Sequence, residues 1–431
     1  MKRITVNFEK QTRAIRAQHG LCNYPVSCHH AEGSLDTETA EKAKALFKEL
    51  AVPVTRLKDQ MHRGYGKCLE VPYIFRDFSK DENDPKNYFF VNTTNSIKAS
   101  VAPGREVMVR LGAPREYWEP IYNKKPDDYD KFATVCCNII RHINDGWAKG
   151  LKAGVKYWEV WNRADDSQCW SGGTLEDYYR LYEVVARKIK ALHPRLKVGG
   201  PAAADCSGDA AFLQGFLDYV KKNNVPCDFV SWNYYGTDPE EAFAQAKKVR
   251  KMVLAARLPK RVEIINDEWN CMTFDENGRF SVPYVRNMHG AAFDAAFMIE
   301  MHKARMDFST YYDCQMNVPW GGLVNPGWVY AYKPLYSFVA FSRLYKIGTA
   351  VETKTVGRNV YALAAANAEK KALLVSVYQE KNDKVEINCG FKGEKKVFVL
   401  DEKNDLTEVM TTKDASFTLP VKGYTVILVE A

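Results

Sequence analysis

The sequence predicts an α/β fold, a (β/α)8 TIM barrel followed by a C-terminal antiparallel β-sandwich. Apolar runs with strand character alternate with amphipathic helical segments from about residue 17 to 347. Eight such runs occur, which is the number that closes a parallel barrel. After Gly348 the helical spacing stops, short alternating runs follow, and no tryptophan remains. We therefore expect the barrel in residues 15–347 and the sandwich in residues 348–431.

The barrel elements are predicted from period-2 apolar runs and from helical spacing with capping signals. The clearest helix starts after Thr174, because Thr174 can cap it, Asp177 occupies the third position and Pro194 stops it. The predicted strands are Gly20–Val26, Val52–Lys58, Arg105–Gly112, Lys156–Asn162, Leu196–Pro201, Phe229–Tyr235, Arg261–Glu268 and Asp307–Asp313. The predicted helices are Thr37–Leu50, Asp128–Asn144, Thr174–Leu192, Ala210–Lys222, Pro239–Ala256 and Pro283–His302.

The sandwich is predicted from short alternating runs separated by turn residues. Residues 2–8 alternate in the same way and can add a strand to that module. Residues 59–104 are long and aromatic, and we interpret them as an elaborated loop over the barrel rather than as a second domain. The predicted sandwich strands are Val360–Ala366, Ala372–Tyr378, Val385–Cys389, Lys396–Asp401, Ser416–Val421 and Tyr424–Glu430.

Composition narrows the class of protein. The net charge of +8 is mild and no long basic run occurs, so we expect no nucleic-acid partner. The N-terminus lacks the apolar core of a signal peptide and no run reaches about 18 apolar residues, which argues against secretion and membrane spanning. The eleven cysteines include no CxxC spacing, which favours reduced thiols in a cytoplasmic protein. We expect no cofactor.

Functional side chains of such a barrel gather at the C-terminal ends of its strands. Amides, carboxylates and tryptophans are concentrated there, and flat apolar rings beside hydrogen-bonding groups suit a sugar. We therefore predict a carbohydrate pocket with stacking walls, although each tryptophan could instead pack under a loop. The predicted walls are Trp161, Trp232, Trp269 and Trp320, and the predicted polar contacts are Arg56, Lys58, Asn162, Asn233 and Tyr235.

Three segments resemble glycoside hydrolase family 39, which contains β-xylosidases and α-L-iduronidases. They are Trp158–Asn162, Cys169–Tyr182 and His193–Ala202, and the resemblance extends from about Gly20 to Gly348. It implies a retaining glycosidase, often oligomeric, with a barrel and a β-sandwich. It also implies that Glu268 is the catalytic nucleophile and that Asn162 holds the substrate 2-hydroxyl.

The chain departs from the family pattern at its predicted pocket. Arg163 stands where the acid/base glutamate is expected, and Asn233 and Lys58 stand where we expect histidines. An arginine cannot donate a proton near neutral pH. If Arg163 points inward it could pair with Glu268, which would lower the pKa of that carboxyl group.

Two hypotheses follow for function. In the first, the acid/base role is unnecessary or has moved to Asp165, Asp166 or Glu159. As alternatives, both aspartates could simply cap the loop or face solvent, and Glu159 could be a buried partner of Arg56 or Arg110.

In the second hypothesis the chain binds a glycan without cleaving it, and Arg163, Lys58 and Arg56 clamp a carboxylate or sulfate. Asp59 could instead be a plain ion-pair partner of Lys58. His29 follows the first predicted strand and could contact substrate. The adjacent pair His29-His30 has no third ligand at useful spacing, so we expect no metal site.

Overall fold

The computed structural model describes residues 2–24, 38–59, 61–62, 66–67, 69–116, 122–274, 280–315, 318–325 and 330–431. Along the chain the strands are β1 (Lys2–Ala14), β2 (Ala17–Cys22), β3 (Val54–Leu57), β4 (Met61–His62), β5 (Gly66–Lys67), β6 (Glu106–Leu111), β7 (Tyr157–Val160), β8 (Lys197–Ala203), β9 (Phe229–Gly236), β10 (Glu263–Cys271), β11 (Thr273–Phe274), β12 (Phe280–Ser281), β13 (Phe308–Tyr311), β14 (Thr349–Val356), β15 (Val360–Ala366), β16 (Lys371–Val377), β17 (Asp383–Asn388), β18 (Lys395–Leu400), β19 (Asp405–Thr412), β20 (Ser416–Val421) and β21 (Thr425–Glu430).

Nine α-helices are assigned within those described ranges. They are α1 (Glu38–Leu50), α2 (Val71–Ile74), α3 (Val91–Ser100), α4 (Tyr129–Asn144), α5 (Leu175–Leu192), α6 (Ala211–Lys222), α7 (Pro239–Ala256), α8 (Met288–Lys303) and α9 (Lys333–Ile347). No helix in the described part of the chain is long and apolar enough to cross a bilayer.

Eight parallel strands close the barrel in the order β10-β13-β2-β3-β6-β7-β8-β9, which confirms the predicted fold class. Each predicted strand overlaps its observed strand, although β2 starts three residues earlier than expected, at Ala17. Alternate residues of the strands fill the interior. A layer of Val54, Met108, Tyr157, Phe229, Ile265 and Phe308 packs at the N-terminal end of the barrel, leaving the next inward positions for polar side chains.

The helix boundaries follow the capping groups. Thr174 and Asp177 form the predicted capping box at the start of α5. Helix α8 starts at Met288 rather than at Pro283, because the Asn287 side chain accepts the N–H groups of His289 and Gly290. Helices α2 and α3 lie in the predicted loop of residues 59–104, and α9 was not predicted.

The C-terminal module is a curled sheet of nine strands in the order β19-β18-β21-β16-β15-β14-β1-β17-β20. All six predicted strands occur, and the sequence analysis missed β14 and β19. Strand β1 pairs antiparallel with β14 but parallel with β17, through Lys2–Thr5 opposite Val385–Asn388. The sheet is therefore not wholly antiparallel. No tight hairpin joins β1 to β17, since the whole barrel separates them in the chain, so either direction of pairing is open to them.

Candidate functional site

Glu268 lies near the C-terminal end of β10, and its carboxylate is surrounded by donors. The Tyr235 hydroxyl donates to Oε1, and the Lys58 ammonium pairs with Oε2. Arg56 Nη1 donates to the same oxygen at 2.7 Å. Glu268 is only 2% exposed, so these bonds are screened little by solvent. Both oxygens of the predicted nucleophile are therefore engaged.

The charges around Glu268 decide its protonation state. Burial opposes ionisation, but Lys58, Arg56 and Arg163 outweigh it and lower the pKa of Glu268 to about 2. The carboxylate is thus ionised at neutral pH, as a nucleophile must be. The same cations draw electron density from it, which weakens attack on an electrophile.

Arg56 links three acidic side chains inside the barrel. Besides Glu268, it bonds Glu159 through Nε at 2.8 Å, and its Nη2 lies 2.9 Å from Asp267 Oδ2. Its Nη2 also donates to Asn162 Oδ1 at 2.9 Å. Glu159 therefore has Arg56 as the buried structural partner that was considered for it. We call Arg56, Lys58, Glu159, Asp267 and Glu268 the Glu268 cluster.

Asp267 is a part of this cluster that the sequence analysis did not identify. Successive strand residues normally face opposite sides, yet Asp267 and Glu268 both contact Arg56. A register shift between Asn266 and Glu268 against β9 accounts for this, as expected at a β-bulge. Burial raises the pKa of Asp267 well above its usual value, against the opposing effect of Arg56, and Glu159 adds to the rise. Asn233 donates to Asp267 Oδ1 at 2.9 Å, so it contacts this acid rather than Glu268.

Lys58 is held by a second polar network. Its backbone N–H donates to Asn23 Oδ1 at 3.1 Å, and Asn23 Nδ2 donates to Asp313 at 3.1 Å. The Lys58 ammonium lies 3.2 Å from Asp59 and 4.5 Å from the centre of the Tyr312 ring. Burial raises the pKa of Asp313 to about 7, while hydrogen bonds from Gln315 and Asn23 oppose the rise. Asn23 and Asp313 therefore position Lys58.

Arg163 lies beside the Glu268 cluster, but its carboxylate partner is not Glu268. Its Nη2 lies 3.3 Å from Asp166, and its guanidinium lies 5.6 Å from the centre of the Tyr235 ring. The direct pair with Glu268 that was considered is not formed, because left-handed backbone at Trp161 (φ 65°) and Arg163 (φ 52°) breaks the strand alternation. The expected lowering of the Glu268 pKa by Arg163 does occur at longer range.

The two aspartates of the same loop have structural partners. Asp165 accepts the backbone N–H groups of Ala204, at 2.9 Å, and of Asp205. Asp166 pairs with Arg115 and accepts the Gln168 N–H at 2.9 Å. Neither carboxylate has a contact with the Glu268 cluster among the described residues. Loop capping, the alternative weighed for both, is what these contacts indicate.

Two of the four predicted stacking tryptophans face away from the barrel interior. Trp232 lies between the inward residues Ser231 and Asn233 and is fully buried against the helices. Trp269 stacks on Phe297, with ring centres 3.9 Å apart, in the same layer. Their prediction as pocket walls is wrong, because each occupies an outward position of its strand.

The other two tryptophans lie nearer to open space. Trp161 is buried against Phe132 and Trp170, and its indole N–H donates to the Cys169 carbonyl at 2.9 Å. Its remaining surface contributes to a cavity of about 550 Å³ that Phe78, Tyr122, Lys124 and Lys125 also line. Trp320 is half-buried and stacks on Tyr312, which in turn covers Lys58.

Two further predictions concern His29 and a metal site. His29 lies outside the described residues. Within the described ranges, no group of three or more His, Cys, Asp or Glu side chains is arranged to hold a metal ion.

A closed barrel with an ionised glutamate at the C-terminal end of its seventh strand is typical of the barrel glycoside hydrolases. The family model described as Glycosyl hydrolases family 39 matches residues 45–316, more than half of this chain. The chain therefore belongs to glycoside hydrolase family 39, as the sequence resemblance implied.

Two curated relatives are described as Beta-xylosidase. The one from Caldicellulosiruptor saccharolyticus is 25% identical over 323 residues, covering 69% of this chain and 60% of the relative. The one from Geobacillus stearothermophilus is 30% identical over 227 residues, covering 46% of this chain and 44% of the relative. The chain thus spans about half of the length of these relatives.

Solved structures agree on the fold. A glucosidase from Croceicoccus marinus superimposes with a TM-score of 0.78 at 20% identity, over 100% of this chain and 98% of that one. A monomeric beta-xylosidase from Caulobacter crescentus CB15 gives a TM-score of 0.70 at 16% identity, over 100% and 99% of the two chains. At these identities the likeness shows the architecture alone.

Proposed function

We propose that this protein acts on a glycoside by a retaining mechanism in which Glu268 attacks the anomeric carbon. The observation that supports this best is the ionised Glu268 carboxylate at a strand end, oriented by Tyr235 and Arg56. Asn162, whose Oδ1 accepts from Arg56, is the residue to which we assign contact with a substrate hydroxyl. The names of the relatives make β-xylosides the first substrates to test.

The arginine at the acid/base position restricts the leaving groups that this site can expel. When Glu268 bonds to the anomeric carbon, the glycosidic C–O bond breaks and its electron pair goes to the leaving oxygen. A glutamic acid at position 163 would protonate that oxygen, whereas Arg163 can only stabilise it as an anion. Arg163 Nε is buried and makes no hydrogen bond within the described part of the chain. We therefore infer a preference for leaving groups that depart as stable anions.

The second half of the reaction, in which water releases the sugar from Glu268, also normally depends on the acid/base residue. Water that attacks the glycosyl-enzyme must lose a proton, and a retaining enzyme normally uses its acid/base residue for that step. The carboxylate nearest to Arg163 among the described residues, Asp166, is engaged by Arg163 and Arg115, so we assign it no role as that base. A small anionic nucleophile needs no deprotonation, so azide should release the sugar from Glu268 faster than water does.

The test compares aryl xylosides of increasing leaving-group acidity on the wild type and two variants at one position. We expect the wild type to cleave 2,4-dinitrophenyl xyloside, with azide acceleration, and to leave alkyl xylosides intact. Arg163→Glu should gain about 10²–10⁴ in rate on poor leaving groups. Arg163→Gln is the matched control, since it removes the cation without adding an acid, and it should show no such gain.

A covalent trap tests the nucleophile separately. A 2-deoxy-2-fluoro xyloside with a 2,4-dinitrophenyl leaving group should add the mass of one fluoro-sugar, located on the peptide that contains Glu268. Label on another carboxylate, or cleavage that survives Glu268→Gln, would rule out the proposed role.

A second candidate is a protein that binds glycans without cleaving them. The specific observation in its favour is that Tyr235, Arg56 and Lys58 together occupy both oxygens of Glu268. Absence of turnover and of any covalent adduct, combined with measurable binding of xylo-oligosaccharides, would favour this candidate. Tighter binding of a uronate-containing oligosaccharide would assign Lys58 and Arg163 to an acidic sugar.

We also infer that the protein works in a reducing compartment, the cytoplasm. The nine cysteines within the described residues form no disulfide with one another, and eight of them are buried. Unreduced and reduced samples should migrate identically in electrophoresis, whereas an intramolecular disulfide would change that migration. An oligomeric state stays a prediction of the family resemblance, and light scattering tests it directly.

A further inference from the structure

Five arginines converge at the N-terminal face of the barrel, opposite to Glu268. Arg13 and Arg16 lie where β1 passes into β2, and Arg250 lies on α7. Arg261 precedes β10, and Arg305 follows α8 with left-handed backbone (φ 66°). They come from four separate parts of the chain and only the fold brings them together. We call these five residues the Arg cluster.

One carboxylate serves the Arg cluster among the described residues. Asp307 pairs with Arg16, and Arg261 Nη2 lies 3.4 Å from it. Asp307 is also committed to the fold, because its second oxygen accepts the Ile264 N–H at 2.8 Å. Arg13, Arg250 and Arg305 have no carboxylate within ion-pair distance in the described ranges. The Nη1 atom of Arg13 is buried and has no hydrogen-bond partner there.

The guanidinium groups are close enough to repel one another. Burial lowers the pKa of Arg13, and Arg305, Arg16 and Arg250 lower it further. Arg250 responds in the same way to Arg305 and Arg16. The neighbouring His302 is buried and neutral, since burial followed by Arg13 and Arg16 lowers its pKa to about 3. It therefore adds no charge but can still contribute a ring nitrogen.

We propose that the Arg cluster binds a phosphate or sulfate group at this face of the barrel. Guanidinium groups match tetrahedral oxyanions with paired N–H donors, and such charge-assisted bonds are among the strongest in proteins. A bound dianion removes the mutual repulsion and gives a partner to the buried Arg13 donor. Side chains at this end of a barrel normally serve stability, but neighbouring cations that outnumber their carboxylates do not serve it.

Two sources can supply the same group. It can belong to a free phosphate or sulfate compound, or it can be an ester group on a sugar chain, which would suit a carbohydrate-active protein. Either ligand would occupy a site that is separate from Glu268, on the other side of the packed barrel layer formed by Val54, Tyr157 and Phe308. Binding there should therefore be independent of the Glu268 carboxylate.

The test is calorimetric titration of the full chain with pyrophosphate, inorganic sulfate and a sulfated disaccharide, repeated at two salt concentrations. We expect pyrophosphate to bind and to raise the Tm, with weaker binding at high salt. The double variant Arg13→Met/Arg305→Met should bind at least tenfold more weakly. Arg195→Met is the matched control, because Arg195 is an exposed arginine outside the Arg cluster, and it should bind as the wild type does.

The outcomes separate the alternatives. If the disaccharide binds at least tenfold more tightly than pyrophosphate, the group is carried on sugar; equal or tighter pyrophosphate binding indicates a free oxyanion. Lack of binding by all three probes, or equal affinity in the double variant, would overturn the proposal. Glu268→Gln should keep wild-type affinity, so the result does not depend on the proposed glycosidase activity. Without ligand, Arg305→Met should not lower the Tm, whereas an arginine that stabilised the fold would do so.

Discussion

The two ends of the barrel differ in how carboxylates balance the charge of their arginines. At the C-terminal face one buried arginine, Arg56, contacts Glu159, Asp267 and Glu268. At the N-terminal face only two of the five arginines, Arg16 and Arg261, contact a carboxylate among the described residues, and both contact Asp307. Arg56 is fully buried, so its charge must be balanced within the protein. The Arg cluster is partly open to water, so its surplus is tolerated and remains available to a ligand. Burial, rather than residue type, separates an internal scaffold from a binding surface.

Among these substitutions, removal of the Arg56 side chain should lower the free energy of unfolding the most. Arg56→Met leaves three acids buried without their common cation, and we expect a loss of about 3–5 kcal/mol in the free energy of unfolding, measured by urea denaturation. Burial should then raise the folded-state pKa values of these acids above their unfolded values. Their protonation would restore stability at low pH, so the deficit relative to wild type should shrink as pH falls from 8 to 5. A deficit that is constant with pH would contradict the charge argument; Arg195→Met controls for loss of a surface arginine.

Removing Lys58 should alter the pH dependence of activity. Lys58 is the first of the cations that lower the pKa of Glu268 to about 2, and one neighbouring cation typically accounts for about 1–3 pH units. In Lys58→Met the acid limb of kcat/KM for 2,4-dinitrophenyl xyloside should therefore move upward by that amount. The conservative variant Lys58→Arg should keep the limb low. An unmoved limb in Lys58→Met would show that Glu268 is not the group that titrates.

The low pKa of Glu268 also links stability to pH. A carboxyl group whose folded pKa of about 2 lies below its usual value of 4.5 stabilises the fold above pH 4.5. That contribution, on the order of 3 kcal/mol, is lost as pH falls from about 4.5 to 2. Urea denaturation between pH 5 and 3 should show a shallower loss in Lys58→Met than in wild type, since its pKa is lowered less.

A substitution at the N-terminal face should lower the stability less than Arg56→Met does. Its effect should also depend on salt concentration, unlike that of Arg56→Met. Asp307→Asn removes the carboxylate that contacts Arg16 and Arg261 but keeps an acceptor for the Ile264 N–H. We expect a loss of about 1 kcal/mol at low salt that is mostly recovered at 1 M NaCl, where the screening length is about 3 Å. The Arg56→Met deficit should persist at that salt. If salt changed the stability losses of Asp307→Asn and Arg56→Met equally, the two faces would not differ in how solvent screens their charges.

The barrel could be predicted from the sequence because each strand and helix carries its own periodic signal. The first β-strand, Thr174 and its capping box, and the helix Pro239–Ala256 needed no information from distant residues. Strands β14 and β19 were missed because their burial is partial and their alternation is weak.

The site was predicted less completely, for reasons that are geometric. The alternation along β9 was available in the sequence and would have placed Trp232 outward, whereas the outward position of Trp269 depends on the bulge in β10. By contrast, the bulge that turns Asp267 and Glu268 to the same side depends on pairing with β9, and the left-handed residues Trp161 and Arg163 depend on the loop. The Arg cluster combines residues about 290 positions apart, which no local pattern can reveal.

The pairing of β1 has a consequence for the order of synthesis. Its thirteen residues are synthesised well before their partners in β14 and β17, which start at Thr349 and Asp383. At typical elongation rates of about 5–20 residues per second, roughly 20–75 s separate the two events. During that interval the inward side chains of β1, Ile4, Val6 and Phe8, lack the strands against which they pack, so we expect closure of this sheet to be a late step of folding.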